Sequence, residues 1–109
     1  MNKDNSIYLD HILYSIDKII EYTSGMTEID FIKNSMVQDA VIRQFEIIGE
    51  ATKQVSKDFR MKFMDIPWNE MAGMRDKLIH NYIDVDLSVV WKTVQQDIPM
   101  LKEMISRCK

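Results

Sequence analysis

An all-α fold, an antiparallel bundle of four to five helices, is the architecture this sequence predicts. Apolar residues return at steps of three and four along successive segments, the repeat of a single helix face. Three Gly and two Pro in 109 residues supply few of the turns an all-β chain needs. No strand pattern competes, and no Gly-rich phosphate loop follows a strand-like run.

The length suits one domain, residues 1–109, with a single core. The first segment, NSIYLDHILYSIDKIIEYTSG, places Leu9, Leu13, Ile16 and Ile20 at helical spacing, with Ile12 and Ile19 widening the stripe. Asn5 or Ser6 is suited to cap its start, and Gly25 to follow its end. Thr27 and Asp30 have the spacing of a capping box, which opens one short helix or turn. Ser35 with Gln38 repeats that spacing and opens a long helix, 35–59, whose stripe is Val41, Phe45, Ile48, Thr52 and Val55. Gly49 inside it costs about 1 kcal/mol relative to Ala, so a close approach by another helix is its expected reason. RMKFMDI reads as a connection. Pro67 then suits the first turn of a helix over 67–82. IDVD breaks the chain, with Asp86 as the cap of the last helix. Leu87, Trp91, Val94, Ile98, Leu101 and Ile105 form the seam of that helix, a spacing suited to antiparallel packing. Pro99 lacks a backbone donor, so a kink is expected near Asp97 to Pro99.

Charge and cysteine content narrow the function classes. A net charge of −3 argues against a protein that coats nucleic acid by bulk electrostatics, though not against a local basic site. The one cysteine, Cys108, cannot form an internal disulfide and has no metal-like neighbours, which fits a reducing compartment and no metal site. MNKDNSIYLD has no signal-type apolar run, and no stretch reaches the ~18 apolar residues of a membrane span. A soluble, cytoplasmic chain is expected. Nine Met is generous, and Met is frequent at adaptable surfaces.

Chemistry-bearing residues concentrate in GMRDKLIHNY, residues 73–82. Arg75 is followed after four residues by His80, and after one more by Tyr82. On a straight helix Arg75 and Tyr82 share a face, whereas His80 lies about 140° from Arg75. The helix is therefore distorted, or Arg75 reaches around its axis, or another surface completes the site. With no such completion, Tyr82 is a core-edge residue and the other two are surface charges. Arg43, Glu46, Glu50, Lys53 and Lys57 step by three and four along the long helix. Such a stripe is either a solvated face of ion pairs worth ~0.2–0.5 kcal/mol each or one wall of a groove that supports the trio. His11, alone on the first helix, reads as a surface or boundary residue.

Four segments resemble the HEPN superfamily and, within it, the HepT-like ribonuclease toxins. They are YLDHILYSIDKIIEYT, QDAVIRQFEIIGEATKQVS, IPWNEMAGMRDKLIHNYIDVDLSVVW and DIPML. The hallmark of that branch, Arg, four to six residues, His and then Tyr two places on, matches Arg75, His80 and Tyr82. The resemblance spans nearly the whole chain in the right order. It implies a helical bundle that dimerises, a metal-independent RNA endonuclease without cofactor, and a toxin–antitoxin pair. The antitoxin it implies is a minimal nucleotidyltransferase that attaches AMP to the motif tyrosine, Tyr82. Arg75 and His80 are then the catalytic residues, with Arg43, Glu46 and Glu50 as supporting residues. The chemistry is compatible: imidazole transfers protons near neutral pH, guanidinium grips phosphate, and a phenol stacks on a base. One catalytic-type histidine per chain suggests a two-fold dimer that pools two copies of His80, with Met71, Met74 or Leu78 at its contact. The alternative is a catalytically silent helical module that holds the nucleotidyltransferase. A third, structural reading is a plain dimerisation domain.

Overall fold

The structure, a computed structural model, describes residues 3–74, 76, 79–81 and 84–109; for residues 3–4, 79–81 and 84–85 it describes the backbone alone. The helical fold class holds. The elements are α1 (Lys3–Thr23), α2 (Glu28–Ile32), α3 (Ser35–Gln54), α4 (Lys57–Lys62), α5 (Trp68–Ala72), β1 (Ile79–Asn81), β2 (Asp84–Val85), α6 (Leu87–Lys92) and α7 (Ile98–Arg107). A π-helical turn, Thr93–Asp97, joins α6 to α7.

The body is α1 laid along α3, with α7 against α1. Leu9, Ile12, Ile16 and Ile19 face Val41, Phe45 and Ile48 in one core, which Ile98, Leu101 and Ile105 close from α7. The apolar stripes expected from spacing are therefore the faces that are buried. Leu13 and Ile20 sit at the core edge. Local signals also hold. Gly25 has φ +77°, a left-handed conformation that glycine adopts without a Cβ clash. Thr27 and Asp30 form the reciprocal capping box. Phe31 of α2 packs on Trp91, ring centroids 5.4 Å apart, which fastens α2 to α6.

Four boundaries differ from the sequence reading. Asn5 and Ser6 lie inside α1, and Asn5 does not cap it. Its side chain instead accepts from the Ser56 N–H at 3.0 Å and donates to Ser56 Oγ at 3.1 Å. That pair ends the long helix early: Val55 turns extended, Ser56 caps Phe59, and α4 starts anew at Lys57 and runs into the expected connection. The cap of α3 is Asn34, which accepts from Val37 N–H. Gln38 turns back to the carbonyls of Phe31 and Ile32, so the Ser35–Gln38 box does not form. Finally, the kink expected near Asp97 to Pro99 is a widened turn that begins earlier, at Thr93, and ends at Asp97. Ile98 N–H reaches the Thr93 carbonyl, five residues back, and this widened turn precedes the proline's missing donor and its ring.

The segment after α5 departs furthest. The helix expected over 67–82 is regular only to Ala72; the backbone at Met74 and Asp76 is helical again. Ile79–Asn81 then runs as a strand, antiparallel to Asp84–Val85, pairing Ile79 with Val85 and Asn81 with Asp84 across an irregular register. Gly73 interrupts the helix at a cost of about 1 kcal/mol. Beyond it, β-branched Ile79, Ile83 and Val85, with Asn81 and Asp84 among them, favour a turn-forming ribbon over a helix. Asp86 caps α6 as expected, accepting from Val89 N–H at 3.2 Å.

Candidate functional site

α3 presents its charged residues outward at the same helical step that buries its apolar ones. Arg43 donates to Glu46 at 3.2 Å, and Lys53 approaches Glu50 at 3.5 Å. The side chains of Arg43 and Glu50 are 68% and 74% exposed, while Glu46 is 30% exposed. The ion pairs of the solvated-face reading are thus present, and so is the groove of the sharper reading. One cleft of about 260 Å³ is lined by Arg43, Glu46, Glu50 and Lys53 together with Ala72 and Asp76. On the other side of the same residues, a cleft of about 300 Å³ runs to Tyr8 and His11 of α1.

Gly49 sets the geometry of the first cleft. A Cβ there would lie 3.1 Å from the Ala72 carbonyl oxygen and 3.6 Å from that of Met71. With no side chain in the way, α5 seats directly on α3, as the glycine in mid-helix led one to expect. Met71 and Met74 anchor the other side: they are 0% and 6% exposed. They belong to this chain's own core, which leaves them little surface for the dimer contact expected of them. Asp76 then returns the chain to the cleft wall.

The motif residues distribute as follows. Arg75 and Tyr82 lie outside the described residues, as do Leu78 and the side chain of His80. The backbone of His80 is on β1 rather than on a helix, so the helical angle of about 140° from Arg75 does not apply. The residues on either side of Arg75, Met74 and Asp76, reach the core and the α3 cleft respectively. Arg43, Glu46 and Glu50 share both clefts. Asp76 escaped the sequence reading, although it sits inside the hallmark stretch; its place beside α3 depends on Gly49. Tyr8 was read only as part of the first helix. His11 is exposed, as expected of it, but shares a cleft with the α3 stripe. Among the described residues no group of three His, Cys, Asp or Glu has metal-holding geometry. No described helix is long and apolar enough to cross a membrane. Burial pushes the Cys108 thiol above its ordinary value, which keeps it protonated and a poor nucleophile.

A family model described as "Ribonuclease HepT-like" matches residues 12–108. The chain belongs to the HepT-like ribonuclease family. Both clefts and the whole Arg75–Tyr82 stretch of this HepT-like chain fall within the match, Tyr8 and His11 excepted. A Thermococcus cleftensis protein named "Probable ribonuclease HepT" is 49% identical over 94% of this chain and 93% of its own length. A Methanocaldococcus jannaschii protein named "Gamma-glutamylcyclotransferase and putative RNase" is 55% identical over 96% of this chain, but the match spans only 47% of that relative. A "Putative RNase" of Caldanaerobacter subterraneus is 44% identical over 90% of this chain and 88% of its own. The HepT-like sequence thus stands alone in some relatives and forms about half of another. No solved structure matches the chain.

Proposed function

We propose that this chain is a metal-independent endoribonuclease, with Arg75 and His80 as its catalytic residues. The observation that carries the reading is the Arg75-x4-His80-x-Tyr82 stretch inside a HepT-like match. Membership of the family and relatives named as ribonucleases support it.

RNA supplies its own nucleophile, the 2′-OH. The reaction removes that proton, forms a bond from O2′ to phosphorus, breaks the bond from phosphorus to O5′, and returns a proton to O5′. The products are a 2′,3′-cyclic phosphate and a free 5′-hydroxyl. His80 is suited to one or both proton transfers, because an imidazole titrates near neutrality. Arg75 holds the non-bridging oxygens through its planar fork, offsetting charge that grows in the transition state. A homodimer would bring a second His80, so that one imidazole accepts while the other donates. Arg43, Glu46 and Glu50 support the site from α3.

Control falls to Tyr82 in the same proposal. A nucleotidyltransferase antitoxin transfers AMP from ATP to the phenol, which loses its proton as the new O–P bond forms and pyrophosphate leaves, and the new phosphate and base occupy the ground that RNA needs. The pairing is that of a toxin with its antitoxin.

The test is cleavage of RNA by purified protein in chelator. Arg75→Ala and His80→Ala are each expected to lose about 10²–10⁴-fold in rate with unchanged circular dichroism. Undiminished cleavage by His80→Ala would overturn the assignment. For the control step, co-expression with a minimal nucleotidyltransferase antitoxin should add AMP-sized mass increments to the wild type and none to Tyr82→Phe. Increments that persist in Tyr82→Phe would remove Tyr82 from the scheme.

A further inference from the structure

The cleft between α1 and α3 shares Arg43, Glu46 and Glu50 with the supporting set above, but its α1 wall has no part in that chemistry. Its residues are an unusual set for a passive surface. Tyr8 and His11 meet edge to face, ring centroids 6.5 Å apart and planes at 87°. Facing them across the cleft are Arg43 and Glu50 of α3, and the floor includes Ile47 and Ala51. The volume of about 300 Å³ is at the small end of ligand sites. Through Arg43, Glu46 and Glu50 it adjoins the cleft that Asp76 lines, one residue from Arg75.

Each group has a counterpart in single-stranded RNA. Unstacked bases pack on Tyr and His rings and are read along their hydrogen-bonding edges. Guanidinium binds phosphate. An ionised carboxylate only accepts, which makes it selective among bases. Guanine presents two adjacent donors, N1–H and N2–H, that one carboxylate takes together. Adenine and cytosine each set an acceptor nitrogen beside their single amino donor. Uracil sets a carbonyl on both sides of N3–H. Glu50 is the more exposed of the two α3 carboxylates that line the cleft, and Lys53 approaches only one of its oxygens, at 3.5 Å. The cleft sets one cation, Arg43, beside two carboxylates, Glu46 and Glu50, so contact chemistry rather than bulk charge would govern binding, in keeping with a chain of net charge −3.

We propose that the α1–α3 cleft is a guanine subsite for the RNA strand. Tyr8 and His11 hold the base, Glu50 reads its Watson–Crick edge, and Arg43 holds the adjoining phosphate. This deepens the ribonuclease reading and rests on it for the identity of the ligand.

The experiment separates binding from cutting. Short single-stranded 2′-O-methyl oligonucleotides lack the nucleophilic hydroxyl, so their affinity is read without cleavage. Oligonucleotides with one central guanine should bind roughly 5- to 150-fold more tightly than those with adenine, cytosine or uracil there, the range for one bidentate base contact. They should shift the NMR signals of the Tyr8 ring and the His11 imidazole. Glu50→Gln should abolish the guanine preference while retaining the fold, and Tyr8→Ala should weaken all four. Equal affinity for the four bases, absent binding, or a guanine preference unchanged in Glu50→Gln would overturn the proposal. Ordinary RNA keeps the two readings apart. Guanine-selective binding without cleavage sinks the ribonuclease and leaves the subsite. Cleavage without guanine-selective binding does the reverse.

Discussion

The α1–α3–α7 body and the stretch from Gly73 to Asp86 are built on different physics. In the body, each helix buries a stripe set by its own repeat, and Ile12, Ile16, Phe45, Ile48, Ile98 and Ile105 are all fully buried. The pattern is redundant, since several side chains on each helix specify the same face. In the motif stretch the supports seen among the described residues are of another kind. It is held at its ends by Met74 in the core, by the seat of α5 on Gly49 and by the Asp86 cap, with a short ribbon between. Each of these described supports joins a single residue or short turn to the body, so the stretch should respond to each of them, whereas the body should absorb small changes and fail only on large ones.

The largest effect expected on the body is from Phe45→Ala. Phe45 is fully buried, and removing such a ring costs about 3–5 kcal/mol, a large share of the stability of a small domain. Chemical denaturation should show it. A loss below 1 kcal/mol would mean that α1 and α3 do not share the core described.

Gly49→Val probes the hinge between the two regions. Its Cβ would press on a backbone oxygen at 3.1 Å, and overpacking of this kind costs about 1–3 kcal/mol. Because α5 is short, part of the strain should appear as movement of α5 and of the chain beyond it. Ribonuclease activity should therefore fall further than stability does. Equal losses in both would show that Gly49 serves the body alone.

The smallest change is expected from Asp86→Ala, which removes one cap hydrogen bond and should cost about 1 kcal/mol. Hydrogen exchange should speed up at the start of α6 and in the ribbon, and remain unchanged in α3. Uniform acceleration across the molecule would erase the distinction between a redundant body and a segment held at points.

What could be read in advance follows from the range of the interactions. Gly25, the Thr27–Asp30 box, the Asp86 cap and the buried stripes depend on residues within one or two turns of each other, so spacing alone carries them. The same spacing rule misplaced the cap of α3, because Asn34 is one position upstream and Gln38 is drawn to the end of α2. It also ran α3 on through Ser56, because the partner that breaks the helix there is Asn5, 51 residues away. His80 was placed on a helix because apolar residues in that stretch fit a helical stripe; the ribbon instead pairs two β-branched residues, Ile79 and Val85.

The sequence by itself determined the helical class, the faces that are buried, the family and the residue types available for RNA chemistry, since periodicity and motif spacing are properties of the chain. Only the tertiary structure decided that Gly49 seats α5 against α3, that Asp76 joins Arg43, Glu46 and Glu50 along one cleft, and that Tyr8 and His11 face the same α3 residues from the other side. These relations bring together residues far apart in the chain. They depend on helices crossing at contact distance, a relation that no local repeat encodes.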